Sequence, residues 1–309
     1  METWRDITVV HRGETIVIDG VGFSAIGRLE LLQLLQQRAR TAGVTLAFGT
    51  TIGSLDDLGD CDLIVAADGV NSLLRRTFEV EFRTSLTHLE GKFAWYGTTK
   101  RFETLTQTFV EHELGTFNAH HYRYAPDMST FIVECDPATW VRAGLDRATE
   151  SESRRLCEQV FAATLDGHPL VSNRSVWRNF PWVWNERWSV RNVVLIGDAL
   201  RTAHYSIGSG TRLALEDALA LTKALEAEPG DLPAALAGYE ATRRPVVEKL
   251  VAASKMSATW YERFPEHMRL APAELAMSYI RRSGRVDDQR LRTMAPKFMA
   301  IYDAGGGMP

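Results

Sequence analysis

Val193–Leu225 reads VVLIGDALRTAHYSIGSGTRLALEDALALTKAL. Its first four residues, Val193 to Ile196, are apolar, rich in β-branched side chains and too few for a helix, so they predict a buried strand. Gly197-Asp198 follow at the carboxyl end of that strand, where open α/β sheets bind ligands. Ser206-Ile207-Gly208-Ser209-Gly210 then forms a small-residue turn. Glycine there permits positive φ and lets a flat ligand lie against bare backbone. Thr211 starts a helix with Ala214, Ala218, Leu221 and Leu225 at helical spacing, and Pro229-Gly230 stop it. A helix that begins after a glycine turn presents free N–H groups to an anionic or electron-rich group. The Asp198 carboxylate suits a ribose hydroxyl. Strand, carboxylate, glycine turn and helix together describe a nucleotide-cofactor site.

Working outward, LIVAADGVNS at residues 63–72 repeats the pattern: strand Leu63–Ala67, turn Asp68-Gly69, helix Val70–Phe78. Nearer the start, Ile7–Val10 and Thr15–Ile18 flank Arg12-Gly13 as a hairpin. Residues 28–42 form a helix with Leu31, Leu35, Ala39 and Ala42 on one face, closed by Gly43 and followed by a strand at Val44–Phe48. Residues 91–135 alternate polar with aromatic or β-branched side chains, which indicates an antiparallel sheet. Trp95, Phe109, Phe117, His120, Tyr122 and Phe131 are candidates to line an aromatic pocket there, or to pack the sheet against helices. Residues 137–166 are helical, and Trp182-Val183-Trp184 are packing residues leading into a strand. Long helices follow at 233–260, where Pro245 suggests a kink and Leu236, Tyr239 and Val246 form a covering stripe, and at 272–283. The tail is Gly305-Gly306-Gly307.

The chain has 309 residues, 45% hydrophobic, enough for one to two domains. A net charge of −4 gives no electrostatic case for nucleic acid or an anionic membrane. Cys61, Cys135 and Cys157 lack metal spacing and read as buried thiols in a reducing cytoplasm. His112, His120 and His121 have no carboxylate–His spacing that would hold a metal. The first residues contain no signal peptide or membrane span, so a soluble cytoplasmic protein is expected.

IGDALRTAHYSIGSGTRLALEDA resembles the second FAD motif of the flavin-dependent aromatic hydroxylases, the fold typified by p-hydroxybenzoate hydroxylase. The form HYSIGSGT is similar to the branch acting on salicylyl-CoA and 2-aminobenzoyl-CoA. Leu200-Arg201 depart from the usual Ala-His of that motif. Ala-Asp-Gly-Val-Asn-Ser resembles the family's middle motif, near the pyrophosphate and the pyridine-nucleotide path. The resemblance implies cofactor contacts from Arg28, Asp68, Gly69, Gly197, Asp198, Gly208, Ser209, Gly210 and Thr211. It implies FAD, NAD(P)H as reductant, O2 as co-substrate and a small aromatic substrate that is CoA-linked. Hydroxylation of an activated ring then needs no nucleophilic side chain, because the cofactor carries the hard chemistry.

The G-x-G-x-x-G that opens a complete FAD hydroxylase is not present in the sequence. The expected fold is therefore α/β (α+β overall): an N-terminally truncated, Rossmann-like FAD-binding domain, an antiparallel-sheet substrate domain that interrupts it, and C-terminal helices. The expected boundaries are 1–88 and 187–250 for the two parts of the FAD-binding domain, 89–186 for the sheet domain and 251–309 for the helical extension. The expectation for residues 1–309 alone is weak FAD binding, self-association and little activity, with strand Leu63–Ala67 exposed as an edge. The alternative is a non-catalytic fragment or degenerate homologue that no longer binds FAD and acts as an interaction module.

Overall fold

In this computed structural model, which describes residues 1–305, the chain opens with four short strands, β1 (Glu2–Trp4), β2 (Ile7–His11), β3 (Glu14–Ile18) and β4 (Phe23–Ala25), and helix α1 (Arg28–Thr41). Gly306 and Gly307 of the glycine tail lie outside the described residues. Arg12 and Gly13 both take positive φ, 51° and 78°. A two-residue hairpin needs that backbone, because it twists in the same sense as its strands. Then come β5 (Ile64–Ala66), α2 (Leu73–Thr77), α3 (Glu79–Phe82), and the long strands β6 (Thr84–Thr98), β7 (Leu105–His112), β8 (Gly115–Ala125) and β9 (Met128–Cys135). Helices α4 (Pro137–Arg142), α5 (Glu150–Val160) and α6 (Ala162–Leu165) precede β10 (Leu170–Val171), β11 (Arg178–Asn185), β12 (Ser189–Val190) and β13 (Val193–Leu195). The rest is helical: α7 (Gly197–Leu200), α8 (Gly210–Ala227), α9 (Leu232–Glu262, with Pro245 inside it), α10 (Phe264–His267), α11 (Pro272–Arg281), α12 (Asp288–Met294) and α13 (Pro296–Ala304). Among the described residues no helix is long and apolar enough to cross a membrane.

The chain divides into two compact units. The first holds residues 1–47, 90–179 and the chain from 261 onward, so the hairpin, α1 and the C-terminal helices pack in the unit of the antiparallel sheet. Its strands run in the order β10-β6-β9-β8-β7-β2-β3, antiparallel except for β2 beside β7. Side chains alternate across a strand, and this splits the aromatic candidates. Phe117 and Phe131 lie fully buried with Ala94, Tyr96 and Val133, packed with Leu145, Cys157 and Phe161. They are core residues, not pocket lining. Trp95, Phe109, His120 and Tyr122 fall on the other parity. There Phe109 packs on His11 and Phe264, while Trp95 stays exposed.

The second unit, residues 48–89 and 180–260, has a three-stranded sheet ordered β12-β13-β5. Its core joins Val193, Val194 and Leu195 to Ala66, Leu74, Phe78, Leu221, Leu236 and Tyr239. The ends of the intervening chain are tied together where Thr84 Oγ1 donates to Asn185 Oδ1 at 2.6 Å. β5 stands at the sheet edge with Val65 exposed.

Four details differ from the sequence reading. Val44–Phe48 is not a strand: no strand among the described residues pairs with it, and Val44 and Phe48 are exposed. The helix expected at Val70–Phe78 begins only at Leu73, where Ser72 caps it. Cys61 is exposed, unlike the buried Cys135 and Cys157. On α9 the buried stripe continues to Val247, with Val246 turned outward.

Candidate cofactor site

β13 and β5 are parallel neighbours, with Leu195 opposite Ala66. The Gly197-Asp198 and Asp68-Gly69 turns therefore leave the same end of the same sheet. Gly197 has φ +60°, and a Cβ built there would stand 3.3 Å from the Ala214 Cβ. Both the backbone and the approach of α8 thus require glycine at this point. Gly197, Ala199 and Leu200 are buried while Asp198 is exposed, so the carboxylate projects from a rigid base. Asp68 is exposed too, but its Oδ2 accepts the Leu73 N–H at 2.7 Å. Ser72 Oγ accepts the Arg75 N–H at 3.1 Å. Asp68 thereby satisfies a helix-terminal donor of α2 in addition to any ligand contact.

Three arginines that the sequence reading did not assign organise this end of the sheet. Arg75, on α2, is almost fully buried and donates to Ala199 O at 3.1 Å and to Val70 O. One guanidinium thus joins the two turns. Its burial draws its pKa below the usual arginine value, and the charge of Asp68 opposes that shift. Asp217, in the buried stripe of α8, has one oxygen 2.7 Å from Arg201 Nη2 and accepts Arg243 Nε at 2.9 Å on the other. The oxygen beside Arg201 also accepts the Gly197 N–H at 3.0 Å. Arg201 Nη1 donates to Gly197 O at 2.7 Å. The buried stripe of α8 is thus Leu213, Asp217 and Leu221, and Ala218 of the expected stripe is exposed. Tyr239 lies beside these charges, and its hydroxyl pKa is pushed up, by burial first and by Asp217 second.

The glycine turn follows from His204, whose Nδ1 lies 2.8 Å from Ser206 Oγ. Ser206 Oγ in turn meets Ser257 Oγ at 2.7 Å. Gly208 is left-handed and exposed, and α8 starts at Gly210 with no side-chain cap and no acidic residue in its first turn. A Cβ at Gly210 would meet nothing within 4 Å. Packing within the protein therefore does not demand glycine there, whereas a ring lying on the turn would. An uncapped start to an 18-residue helix, bare glycine beside it and an exposed carboxylate fit FAD. Ser209 is buried and Thr211 exposed at this helix start. Asp68, Gly69, Gly197, Asp198, Gly208, Ser209, Gly210 and Thr211 all belong to the second unit, and Arg28 is an exposed residue of the first.

The first unit carries its own polar network, on the sheet face of His120 and Tyr122. Tyr261 OH donates to Gln107 Oε1 at 2.8 Å, and Gln107 Nε2 donates to Asn118 Oδ1 at 2.6 Å. Asn118 Nδ2 reaches Glu134 Oε2 at 3.5 Å, and His120 Nδ1 lies 3.5 Å from Glu134 Oε1. Burial raises the Tyr261 hydroxyl pKa well above its usual value.

The FAD binding domain family matches residues 57–254. The salicyloyl-CoA 5-hydroxylase of a Streptomyces species is 40% identical over 290 residues, covering 91% of this chain and 56% of that protein. This chain thus spans little more than half the length of that relative. A 3-hydroxy-4-methyl-anthranilyl-[aryl-carrier protein] 5-monooxygenase from Streptosporangium sibiricum is 41% identical over 85% of this chain and 70% of its own length. PqsL of Pseudomonas aeruginosa, a probable FAD-dependent monooxygenase, shares the fold at a TM-score of 0.66 and 21% identity, covering 89% of this chain and 82% of PqsL. With the two glycine–aspartate turns in place on β5 and β13, these matches establish that the chain belongs to the FAD binding domain family, among relatives named as a hydroxylase and a monooxygenase.

Proposed function

We propose that this protein takes part in FAD- and NAD(P)H-dependent hydroxylation of an activated aromatic ring carried as an acyl group on CoA or a carrier protein. The observation that carries the reading is Asp198, presented from a buried turn beside the uncapped start of α8. Asp198 holds a ribose hydroxyl, the α8 N–H groups face the electron-rich part of the cofactor, and the Gly208–Gly210 backbone supports the ring. FAD bound there and reduced by NAD(P)H would supply the chemistry that activates O2, one oxygen atom going to the ring and the other to water. The protein's share is to place cofactor and substrate and to keep water out. The substrate class rests on two relatives of about 40% identity, whose names specify a salicyloyl-CoA and an anthranilyl group on an aryl-carrier protein. Both names also specify position 5, which is para to the hydroxyl or amino group at position 2. Electrophilic oxygen transfer favours that carbon because the ring donor raises its electron density.

The test adds FAD, NADH and either salicyloyl-CoA, 2-aminobenzoyl-CoA or the free acids to the purified protein, and follows NADH oxidation and the hydroxylated product. Stimulation and product with the thioesters support the reading. Stimulation by the free acids alone places the protein on a different substrate class, and an absence of flavin binding removes the enzymatic reading in favour of an interaction module.

A further inference from the structure

We propose that Arg201 is a positioning residue for the cofactor: with Asp217 it locks the Gly197 peptide that carries Asp198. The inference rests on the reading of this turn as the FAD ribose site. The two polar groups of Gly197 are held by the two halves of one ion pair. Its N–H goes to Asp217 Oδ2 at 3.0 Å and its carbonyl accepts Arg201 Nη1 at 2.7 Å, while the pair closes at 2.7 Å. The backbone N–H of Arg201 bonds the same carbonyl at 3.1 Å. That carbonyl lies in the peptide plane that joins Gly197 to Asp198, so fixing it fixes where the next side chain leaves the chain. Gly197 is also the residue with the fewest steric limits on that plane, since glycine populates positive and negative φ about equally.

Stability alone does not account for the arginine. Arg201 is 2% exposed and Asp217 0%, and burying such a pair is often no better than apolar packing. Arg201 Nε and Nη2 make no hydrogen bond among the described residues, Nη2 meeting Asp217 only as an ion pair, which adds to the cost of burying them. Asp217 keeps a second cation, Arg243, whose Nη2 also reaches Glu216 at 2.8 Å and Leu213 O at 3.2 Å. Removing Arg201 therefore leaves no carboxylate buried without a cation. The arginine is dispensable to the fold, and what it alone does is hold the Gly197 carbonyl from the side-chain direction.

Arg201→Met, Asp198→Ala and the double variant are compared with the parent by flavin-fluorescence titration with FAD, together with urea unfolding and amide exchange at Gly197. Arg201→Met should weaken FAD binding about five- to tenfold and leave the urea midpoint at or above the parent value. Because Arg201 acts through Asp198, the double variant should bind no more weakly than Asp198→Ala alone. Exchange of the Gly197 N–H should accelerate at least about tenfold while the Val193–Leu195 amides keep their parent rates. Additive losses in the double variant, or unchanged affinity with unchanged Gly197 exchange, overturn the proposal. If Arg201→Met fails to fold, the claim that the arginine is dispensable is wrong, and Arg201→Gln then decides positioning by the same three readouts. If the parent binds no FAD, the ribose-site reading falls, and Gly197 exchange alone decides whether Arg201 holds the turn.

Discussion

Around Gly197 the buried side chains of Arg75, Arg201, Asp217 and Arg243 bond the main chain at Val70, Ala199, Gly197 and Leu213. On the sheet of the other unit, Gln107, Asn118, Glu134 and Tyr261 bond chiefly to one another. The difference follows from what each region lacks. A strand interior has its backbone groups satisfied by the ladder, so its polar side chains are free to pair across strands. A turn between a strand and a helix has no ladder, so its N–H and C=O groups need side-chain partners. The network around Gly197 therefore shapes backbone, and the one on the sheet arranges side chains.

Asp217→Ala breaks this contrast most severely. It leaves Arg201 without a carboxylate in the core and frees the Gly197 N–H. Removing one partner of a buried pair costs about 3–5 kcal/mol, and the loss should appear as a large drop in the urea midpoint. A drop under about 1 kcal/mol would mean that water already screens the network. Tyr261→Phe probes the sheet side. Gln107 is fully buried, so an acceptor left without its donor should cost about 1–3 kcal/mol with little change in FAD affinity. The smallest effect is a pH dependence confined to the sheet unit. Burial first, and the nearby His120 second, lower the His121 pKa well below 6.5. Its ring stacks on Phe131 at 5.0 Å, and its Nε2 lies 2.9 Å from Thr108 Oγ1. The unfolded chain therefore takes up the proton first: stability is complete above about pH 6.5 and declines as the pH falls below it. Urea midpoints at pH 7.5 and 6.0 should differ in the parent and differ less in His121→Phe. An equal difference in both would assign the dependence to His11 or His267, whose pKa values burial also lowers.

The features legible in the sequence are those that a single stretch specifies. Val193–Ile196 with Gly197-Asp198 predicted a strand and turn, and Arg12-Gly13 predicted a hairpin, because local sterics decide both. Asp217 is not legible in this way, because apolar periodicity carries no sign of a buried charge on the core face of a helix. Arg201 is legible only as a departure from the family pattern, since its role depends on Asp217, distant in sequence but 2.7 Å away in the fold. Alternation in residues 91–135 revealed two faces but not which one the helices cover, which is why Phe117 and Phe131 were grouped with Tyr122. Val44–Phe48 has strand composition, yet pairing makes a strand and composition does not supply the neighbour.

The bond between Thr84 and Asn185 bears on the order of folding. β5 and β13 must meet before the Asp68-Gly69 and Gly197-Asp198 turns are placed side by side, yet the chain between them includes β6 to β11. Closing so long a segment costs configurational entropy, and native pairings distant in sequence slow the search for the folded state. Joining Thr84 to Asn185 at 2.6 Å brings the ends of the insertion together. Once that junction has formed, the remaining connections are only those from Ala66 to Thr84 and from Asn185 to Val193. The parallel pairing then becomes kinetically local, and a sheet interrupted by most of another unit can form almost as though its sequence were continuous.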